Sequence, residues 1–215
     1  GQLKLLKSKV AVIGCGGLGG YVIEMLARMG VGRLVLVDGD EFDDNNLNRQ
    51  LISTEANLHR PKAREAAGRV HEINSAVVTE VHVEFAGRHN IKDLLTGCDV
   101  AVDALDNVSS RFMLEAACRE LGIPMVHGAI AGFAGQVTTV LPTDPGLAAI
   151  YGPPESAPDR GVEQELGNPA PTPAIVAAWE VEEVIKLILG IGAPLSRRLL
   201  YFDALEGQVQ VINIG

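Results

Sequence analysis

The sequence predicts an α/β fold: a doubly wound, Rossmann-like, mainly parallel sheet with antiparallel strands toward the C-terminal part. Three observations predict it. Short apolar runs alternate with helix-period stretches from Val10 to Gly128. The first run, Val10-Ala11-Val12-Ile13, stops on Gly14-Cys15-Gly16-Gly17-Leu18-Gly19, where Gly14, Gly16 and Gly19 fit the G-x-G-x-x-G spacing of a nucleotide-binding strand–turn–helix. Three of the runs end on Gly14, Asp38 and Asp106, and a sheet of this kind gathers such positions at one edge, where ligands bind.

Each element has a local reason. Ser8 to Ile13 is the first strand, and Gly17 to Met29 is a helix with Val22, Ile23, Leu26 and Ala27 on its apolar face. Gly30 and Gly32 end that helix, and Arg33 to Val37 is the second strand. The stretch from Asp38 to His59 is long for a connection in a compact domain, which points to function or mobility. Pro61 suits the first helical position of a helix reaching Ile73, with Ala63, Ala66, Ala67 and Val70 inward. Val77 to Glu84 alternates as a strand, Ile91 to Leu95 is a short helix, and Asp99 to Leu105 is a buried strand. Asn107 caps a helix from Val108 to Leu121.

Pro124 to Gly128 is a further strand, and Phe133 to Leu141 runs back beside it. Positions 142–173 hold eight of the eleven prolines and read as an irregular crossover-type loop, a partner-binding segment or simply a mobile one. Ala174 to Leu189 returns to helical spacing, and Leu199 to Phe202 with Gln208 to Ile214 forms a closing hairpin. Length fits one unit, residues 1–215, with a sizeable core.

Composition excludes several classes. Apolar residues make up 47% and aromatics 4%, so the core is aliphatic. No apolar run reaches the roughly eighteen residues of a membrane span, and the opening Gly-Gln-Leu-Lys-Leu-Leu-Lys lacks the apolar core of a signal peptide. A net charge of −9 lacks the basic footprint of a general nucleic-acid binder. Cys15, Cys98 and Cys118 are widely spaced, form no C-x-x-C and read as packing residues in a reducing compartment. A cytoplasmic protein is the expectation.

The glycine turn permits close backbone approach to phosphate, and the helix N-terminus after it favours an anion. By itself that pattern also occurs in turns that bind nothing. Asp38, nineteen residues after Gly19, stands where an acid meets ribose hydroxyls, so a dinucleotide dehydrogenase still fits. The segment that follows, Asp38-Gly39-Asp40 through Asn45-Asn46-Leu47-Asn48-Arg49-Gln50, ends on an arginine, and Lys62 comes soon after. One carboxylate for ribose and two cations for phosphates suit a nucleoside triphosphate better than NAD.

With these motifs, together with Pro61-Lys62 and Asp106-Asn107, the chain closely resembles the ThiF/MoeB/HesA family, the adenylating domain shared with ubiquitin-activating enzymes. The resemblance covers nearly the whole chain. It implies an adenylyltransferase that binds MgATP, activates the C-terminal carboxylate of a small ubiquitin-like sulfur-carrier protein ending in Gly-Gly, and releases pyrophosphate. It implies further that Asp38 takes the ribose, with Asp40 helping, that Arg49 and Lys62 hold phosphates, and that Asp106 carries Mg²⁺. Gly14, Gly16, Gly17, Gly19, Asn45, Asn46, Leu47, Asn48 and Asn107 match the family's nucleotide contacts. Relatives are usually homodimers, to which the helix Ala174 to Leu189 contributes unless it is internal core.

Individually, plainer readings stand beside these. Arg49 also suits a surface ion pair, Asp106 an N-cap and His127 a satisfied polar residue, while Arg111 falls where the family often has an arginine and equally suits a solvated helix position. Asp43 and Asp44 read as solvated. Lys62 sits in a first helical turn, where the dipole favours anions, so a bound phosphate explains it better.

The chain departs from the family pattern in three ways. The paired C-x-x-C zinc ligands of many members are replaced by Leu147-Ala148-Ala149-Ile150-Tyr151-Gly152 and nothing cysteine-containing follows Phe202, so no structural zinc is expected. No cysteine follows Cys118, and the segment aligned with the family's thioester or persulfide cysteine reads Glu163-Gln164-Glu165; adenylation without covalent transfer is the expectation. The N-terminal helix whose arginine reaches a neighbouring subunit would lie just before Gly1. Three alternatives stay open: a tRNA-modifying dehydratase or peptide-adenylating relative of the same chemistry, an NAD-dependent oxidoreductase, and a non-catalytic partner subunit.

Overall fold

An eight-stranded sheet, in the order β3-β2-β1-β4-β5-β6-β7-β8, carries the molecule in the computed structural model, which describes residues 1–157 and 167–215. The strands are β1 (Lys9–Ile13), β2 (Arg33–Val37), β3 (Val78–His82), β4 (Val100–Asp103), β5 (Met125–Ala131), β6 (Ala134–Val140), β7 (Arg198–Asp203) and β8 (Gln208–Asn213). The first five pair in parallel, with Val10 opposite both Leu34 and Val100. β5 to β8 pair antiparallel, β5 with β6 and β7 with β8 through short turns, and β6 with β7 across the long segment that carries two described helices. The mixed sheet read from the sequence is therefore the observed one.

The described helices are α1 (Gln2–Lys7), α2 (Gly17–Met29), α3 (Lys62–Ile73), α4 (Ile91–Leu95), α5 (Val108–Leu121), α6 (Ala148–Tyr151) and α7 (Pro171–Leu189). Side chains alternate across each strand and so divide the core in two. Val10, Val12, Leu34, Leu36, Val100 and Val102 join α2, α3 and α7 on one face. Ala11, Ile13, Val35, Val37, Ala101 and Met125 join α4 and α5 on the other. Helices on both faces explain why β1, β2 and β4 read as near-unbroken apolar runs, whereas β3, at the sheet edge, alternates.

Boundaries follow local chemistry. α2 and α5 span the expected residues because Gly30 (φ 74°) and Gly122 (φ 71°) adopt the left-handed caps that stop them. Pro61 precedes α3 as its cap residue, with ψ 123°, rather than filling the first helical position. α7 starts three residues before Ala174, because Pro171 needs no amide partner in a first turn. α1 and α6 were given no element in the sequence. α1 holds only one buried residue, Leu5, and is tied down at long range: Gln2 Nε2 donates to Met29 O and Lys4 Nζ to Leu189 O. α7 packs against α2, β5 and β6 and so serves as internal core. Glu163, Gln164 and Glu165 lie outside the described residues.

The direction of winding reverses at β1. The chain moves outward through β2 and β3, then crosses back to place β4 on the other side of β1. A doubly wound sheet opens its ligand crevice at that switch point, beyond the carboxyl ends of β1 and β4.

Candidate functional site

A cleft of about 370 Å³ lies at that switch point, lined by the glycine turn after β1, the loop after β2, and the turn after β4. Gly14 leaves β1 with φ 102°. A side chain there would be strained and would meet Ala104 O at 2.5 Å. Position 19 is tighter still, since a Cβ would stand 1.9 Å from Gly14 O. These two glycines set how closely α2 approaches β1. No side chain caps the N-terminus of α2, so Gly16, Gly17 and Leu18 bring backbone and the positive end of the helix dipole to the cleft wall.

Asp38 ends β2 and faces the same turn. Its Oδ2 accepts from Cys15 N at 2.7 Å and its Oδ1 from Asp40 N at 2.8 Å. Burial raises its pKa from the ordinary value, opposed by those two amide bonds and by Lys62. Each oxygen keeps a second lone pair for a hydroxyl donor. Lys62, only 7% exposed, is the first residue of α3, and its Nζ lies 3.3 Å from Asp40 Oδ2. Asp40 thus sets the direction of a cation inside the cleft.

The loop before α3 consists of two 3-10 turns, Asp44–Asn46 and Glu55–Asn57, each closed by a reciprocal side-chain box. In the first, Asp43 N donates to Asn46 Oδ1 at 3.1 Å and Asn46 Nδ2 donates to Asn45 Oδ1 at 2.6 Å. Arg49 leaves this turn with Nη1 bonded to Asn45 O and Asn48 Oδ1, at 2.8 and 3.0 Å. Asn48 Nδ2 also donates to Asn168 O, at 3.4 Å. Gln50 is nearly buried against Gly16, and its Oε1 has no partner among the described residues.

Asp106 is exposed at the lip of the cleft, its Oδ1 accepting from Asn107 Nδ2 at 3.2 Å. Asn107 caps α5 by accepting from Ser110 N at 2.8 Å. The residue preceding Asp106, Leu105, is held at both its N–H and its carbonyl. Leu105 N donates to Asp103 Oδ1 at 3.1 Å, and Leu105 O accepts from Arg111 Nη2 at 2.8 Å and Nε at 3.3 Å. Arg111 is buried at 9% exposure, so the solvated-helix reading of it is overturned. His127 is fully buried, with Nδ1 2.7 Å from Asp103 Oδ2 and Nε2 3.0 Å from Tyr151 Oη. Burial pushes its pKa down, against the pull of Asp103. It is the satisfied polar residue expected.

The cleft therefore brings together Gly14, Gly16, Gly17, Asp38, Asp40, Arg49, Lys62, Asp106 and Asn107. Gly19 lies behind the turn, and Asn45, Asn46, Leu47 and Asn48 lie outside the lining, where the asparagines shape the loop that aims Arg49. Gln50, Arg111 and Asn168 also line the cleft; the sequence offered Gln50 only as the end of a motif and Arg111 only as a position matching the family or solvated, and gave no role to Asn168. Arg111 carried a signal: it stands three residues from both Val108 and Leu114 on the buried stripe of α5. Asn168 carried none, because it reaches the cleft from a distant part of the chain. A second cavity of about 180 Å³ adjoins the cleft, sharing Arg111 and Ile130, and is walled by Val108, Gln136, Tyr151 and Tyr201.

Known proteins resemble this chain over nearly all of its length. The ThiF family model matches residues 1–215. The SAMP-activating enzyme E1 of Haloferax volcanii is 39% identical, the match covering 96% of this chain and 76% of that protein. The sulfur carrier protein adenylyltransferase of Thermus thermophilus is 35% identical, with 100% of this chain and 81% of that protein covered. The adenylyltransferase and sulfurtransferase MOCS3 of Arabidopsis thaliana is 38% identical, but this chain spans only 46% of its length. Among solved structures, E. coli MccB with ATP has a TM-score of 0.85 at 21% identity, covering 100% of this chain and 66% of that chain. At such identity the likeness shows the fold.

Proposed function

The chain belongs to the ThiF family, and from that premise we propose that it is an ATP-dependent adenylyltransferase acting on the C-terminal carboxylate of a small ubiquitin-like sulfur carrier. The observation that carries the reading is the convergence of Asp38, Arg49, Lys62 and Asp106 on one cleft around the glycine turn. An acid for ribose and two cations for phosphates describe a nucleoside triphosphate. Hydride transfer to a dinucleotide would leave Arg49 and Lys62 unexplained.

The chemistry asks little of the protein beyond placement. A carboxylate is already ionised at neutral pH, so no general base is needed. Its oxygen bonds to the α-phosphorus, the α–β phosphoanhydride bond breaks, and pyrophosphate leaves with the electron pair. Catalysis then rests on in-line positioning and on charge placed around the phosphate oxygens. Asp38 orients the ribose. The amides of the glycine turn, Arg49 and Lys62 hold the phosphates, Lys62 as a point charge steadied by Asp40. Asn45, Asn46, Leu47 and Asn48 act by shaping the loop under Arg49, and Asn107 by capping the helix beside Asp106.

Asp106 fits Mg²⁺, because that ion takes one or two carboxylates and fills its remaining positions with phosphate oxygens and water. Its carboxylate is exposed at the cleft lip, held at one oxygen by Asn107. Bound there, Mg²⁺ supplies charge neutralisation on the phosphates. The adjoining apolar cavity suits a thin Gly-Gly tail leading toward the α-phosphate. Residues 1–215 serve as one adenylation unit, working as a homodimer in the cytoplasm. The three described cysteines, all free and buried, suit a reducing compartment, and among the described residues no helix is long and apolar enough to cross a membrane.

Exchange of labelled pyrophosphate into ATP tests the reading. Wild type with Mg²⁺ and a Gly-Gly-terminated carrier should support exchange, and Asp106→Ala should lower it on the order of a hundredfold or more. Absence of any ATP binding would overturn the assignment. ATP binding without carrier-dependent exchange would move the acceptor to another class, such as tRNA.

A further inference from the structure

We propose that Tyr151 is a positioning residue that couples the segment after β6, and the apolar cavity it walls, to the turn carrying Asp106. The inference rests on the adenylation reading above. Tyr151 ends α6, far in sequence from β4, yet its hydroxyl is the meeting point of three side chains. Arg111 Nη1 lies 2.9 Å away, Gln136 Nε2 2.8 Å and His127 Nε2 3.0 Å.

Donor arithmetic fixes the direction of every bond. Arginine and the glutamine amino group only donate, so both lone pairs of the hydroxyl are taken. Its own proton must then go to His127 Nε2. That nitrogen is an acceptor only in the neutral imidazole protonated at Nδ1, which matches Nδ1 donating to the Asp103 carboxylate at 2.7 Å. Asp103 in turn accepts from Leu105 N, while Arg111 donates to Leu105 O. The hydroxyl thus governs both clamps on Leu105, the residue immediately before Asp106. One clamp runs through Arg111, and the other through His127 and Asp103.

The arrangement has a further edge. Tyr151 and Arg111 both wall the apolar cavity, and Arg111 walls the nucleotide cleft as well. The Arg111 guanidinium also stands 6.0 Å from the centre of the Tyr151 ring. A chain end entering the cavity touches the tyrosine, and any shift of its hydroxyl reaches Leu105 through one arginine. Acceptor occupancy and the pose of the Asp106 carboxylate are therefore linked by a single hydrogen-bonded hub. A buried hub of this kind has discrete bonding states rather than a continuous range, because each lost bond leaves an unpaired polar group.

Tyr151→Phe removes the hub and keeps the ring. With a carrier and Mg²⁺, kcat for pyrophosphate exchange should fall about tenfold while KM for ATP stays within about twofold, since Asp38, Arg49 and Lys62 are untouched. The buried groups left unpaired lower the unfolding midpoint in either case; a merely structural role would move kcat and KM together or leave both unchanged in the folded variant, and either pattern overturns the proposal. A second readout needs no turnover. The ¹H–¹⁵N signal of Arg111 Nε, assigned with Arg111→Lys, should exchange slowly with water in wild type and rapidly in Tyr151→Phe. Should the variant not fold, wild type still decides: a tail peptide ending in Gly-Gly must shift the Arg111 signal, and an unmoved signal overturns the coupling. If wild type binds ATP but no carrier supports exchange, the adenylation reading fails, while the Arg111 signal in Tyr151→Phe still decides the clamp.

Discussion

Glu180 lies on α7 with no exposed surface, and neither of its carboxylate oxygens has a hydrogen-bond partner among the described residues. Burial holds its pKa well above the ordinary 4.5, Asp103 adds to the shift and Arg111 opposes it. A carboxyl that binds its proton more tightly when folded favours the folded state at low pH. That contribution is complete below the unfolded value and is lost as pH rises through the folded one. Glu180→Gln, which cannot ionise, should therefore remove a fall in stability that begins above about pH 4.5 and should leave the variant more stable than wild type at pH 8. Urea unfolding at pH 5 and pH 8 reads this, and equal slopes in the two proteins would refute it. None of this was legible in the sequence, where Glu180 is one acid among Glu180, Glu182 and Glu183 on a helix. Its burial comes from Gly128 of β5, whose missing side chain leaves the space that the Glu180 carboxyl fills.

Among the elements, α5 was read to the residue and α6 was not seen at all. α5 has Asn107 at one end and Gly122 at the other, so both stops are local and written in the chain. Asn107→Ala should cost about 1 kcal/mol of stability, measured as a lowered urea midpoint with unchanged slope, since Ser110 N would lose its acceptor. A loss near zero would mean that water replaces the cap. α6 is four residues long, with no periodicity to detect, and what holds Tyr151 there is the distant Arg111, His127 and Gln136. α1 is likewise fixed by bonds to Met29 and Leu189. The loop between β2 and α3 lies between these extremes. Its length marked it as unusual, and Asp43 with Asn46 and Thr54 with Asn57 then close two turns that a polar composition only hints at.

At the scale of the molecule, two apolar layers enclose one sheet. Leu26 of α2 and Leu114 of α5 sit in different layers, and both have no exposed surface. Either one cut to alanine should cost about 3 kcal/mol. Because the layers share β1, β2, β4 and β5, both variants should shift the same single unfolding transition. Separate transitions by two probes would show the layers to be independent. The sheet also explains the site, for its winding reversal at β1 sets Gly14 and Asp106 beside each other and leaves Asp38 one strand away.

By itself the sequence determined the α/β class, the parallel-to-antiparallel change of strand direction, and the glycine turn with its acid and two cations. Each of these is carried by short-range information: periodicity, caps, and glycines that a neighbouring backbone cannot tolerate otherwise. Only the tertiary structure decided that Arg111 and Glu180 are buried, that Gln50 and Asn168 join the cleft wall, and that Tyr151 reaches back to the Asp106 turn. Those facts depend on which distant strands and loops meet, and hydrogen bonds between residues forty positions apart leave no periodic trace in the chain.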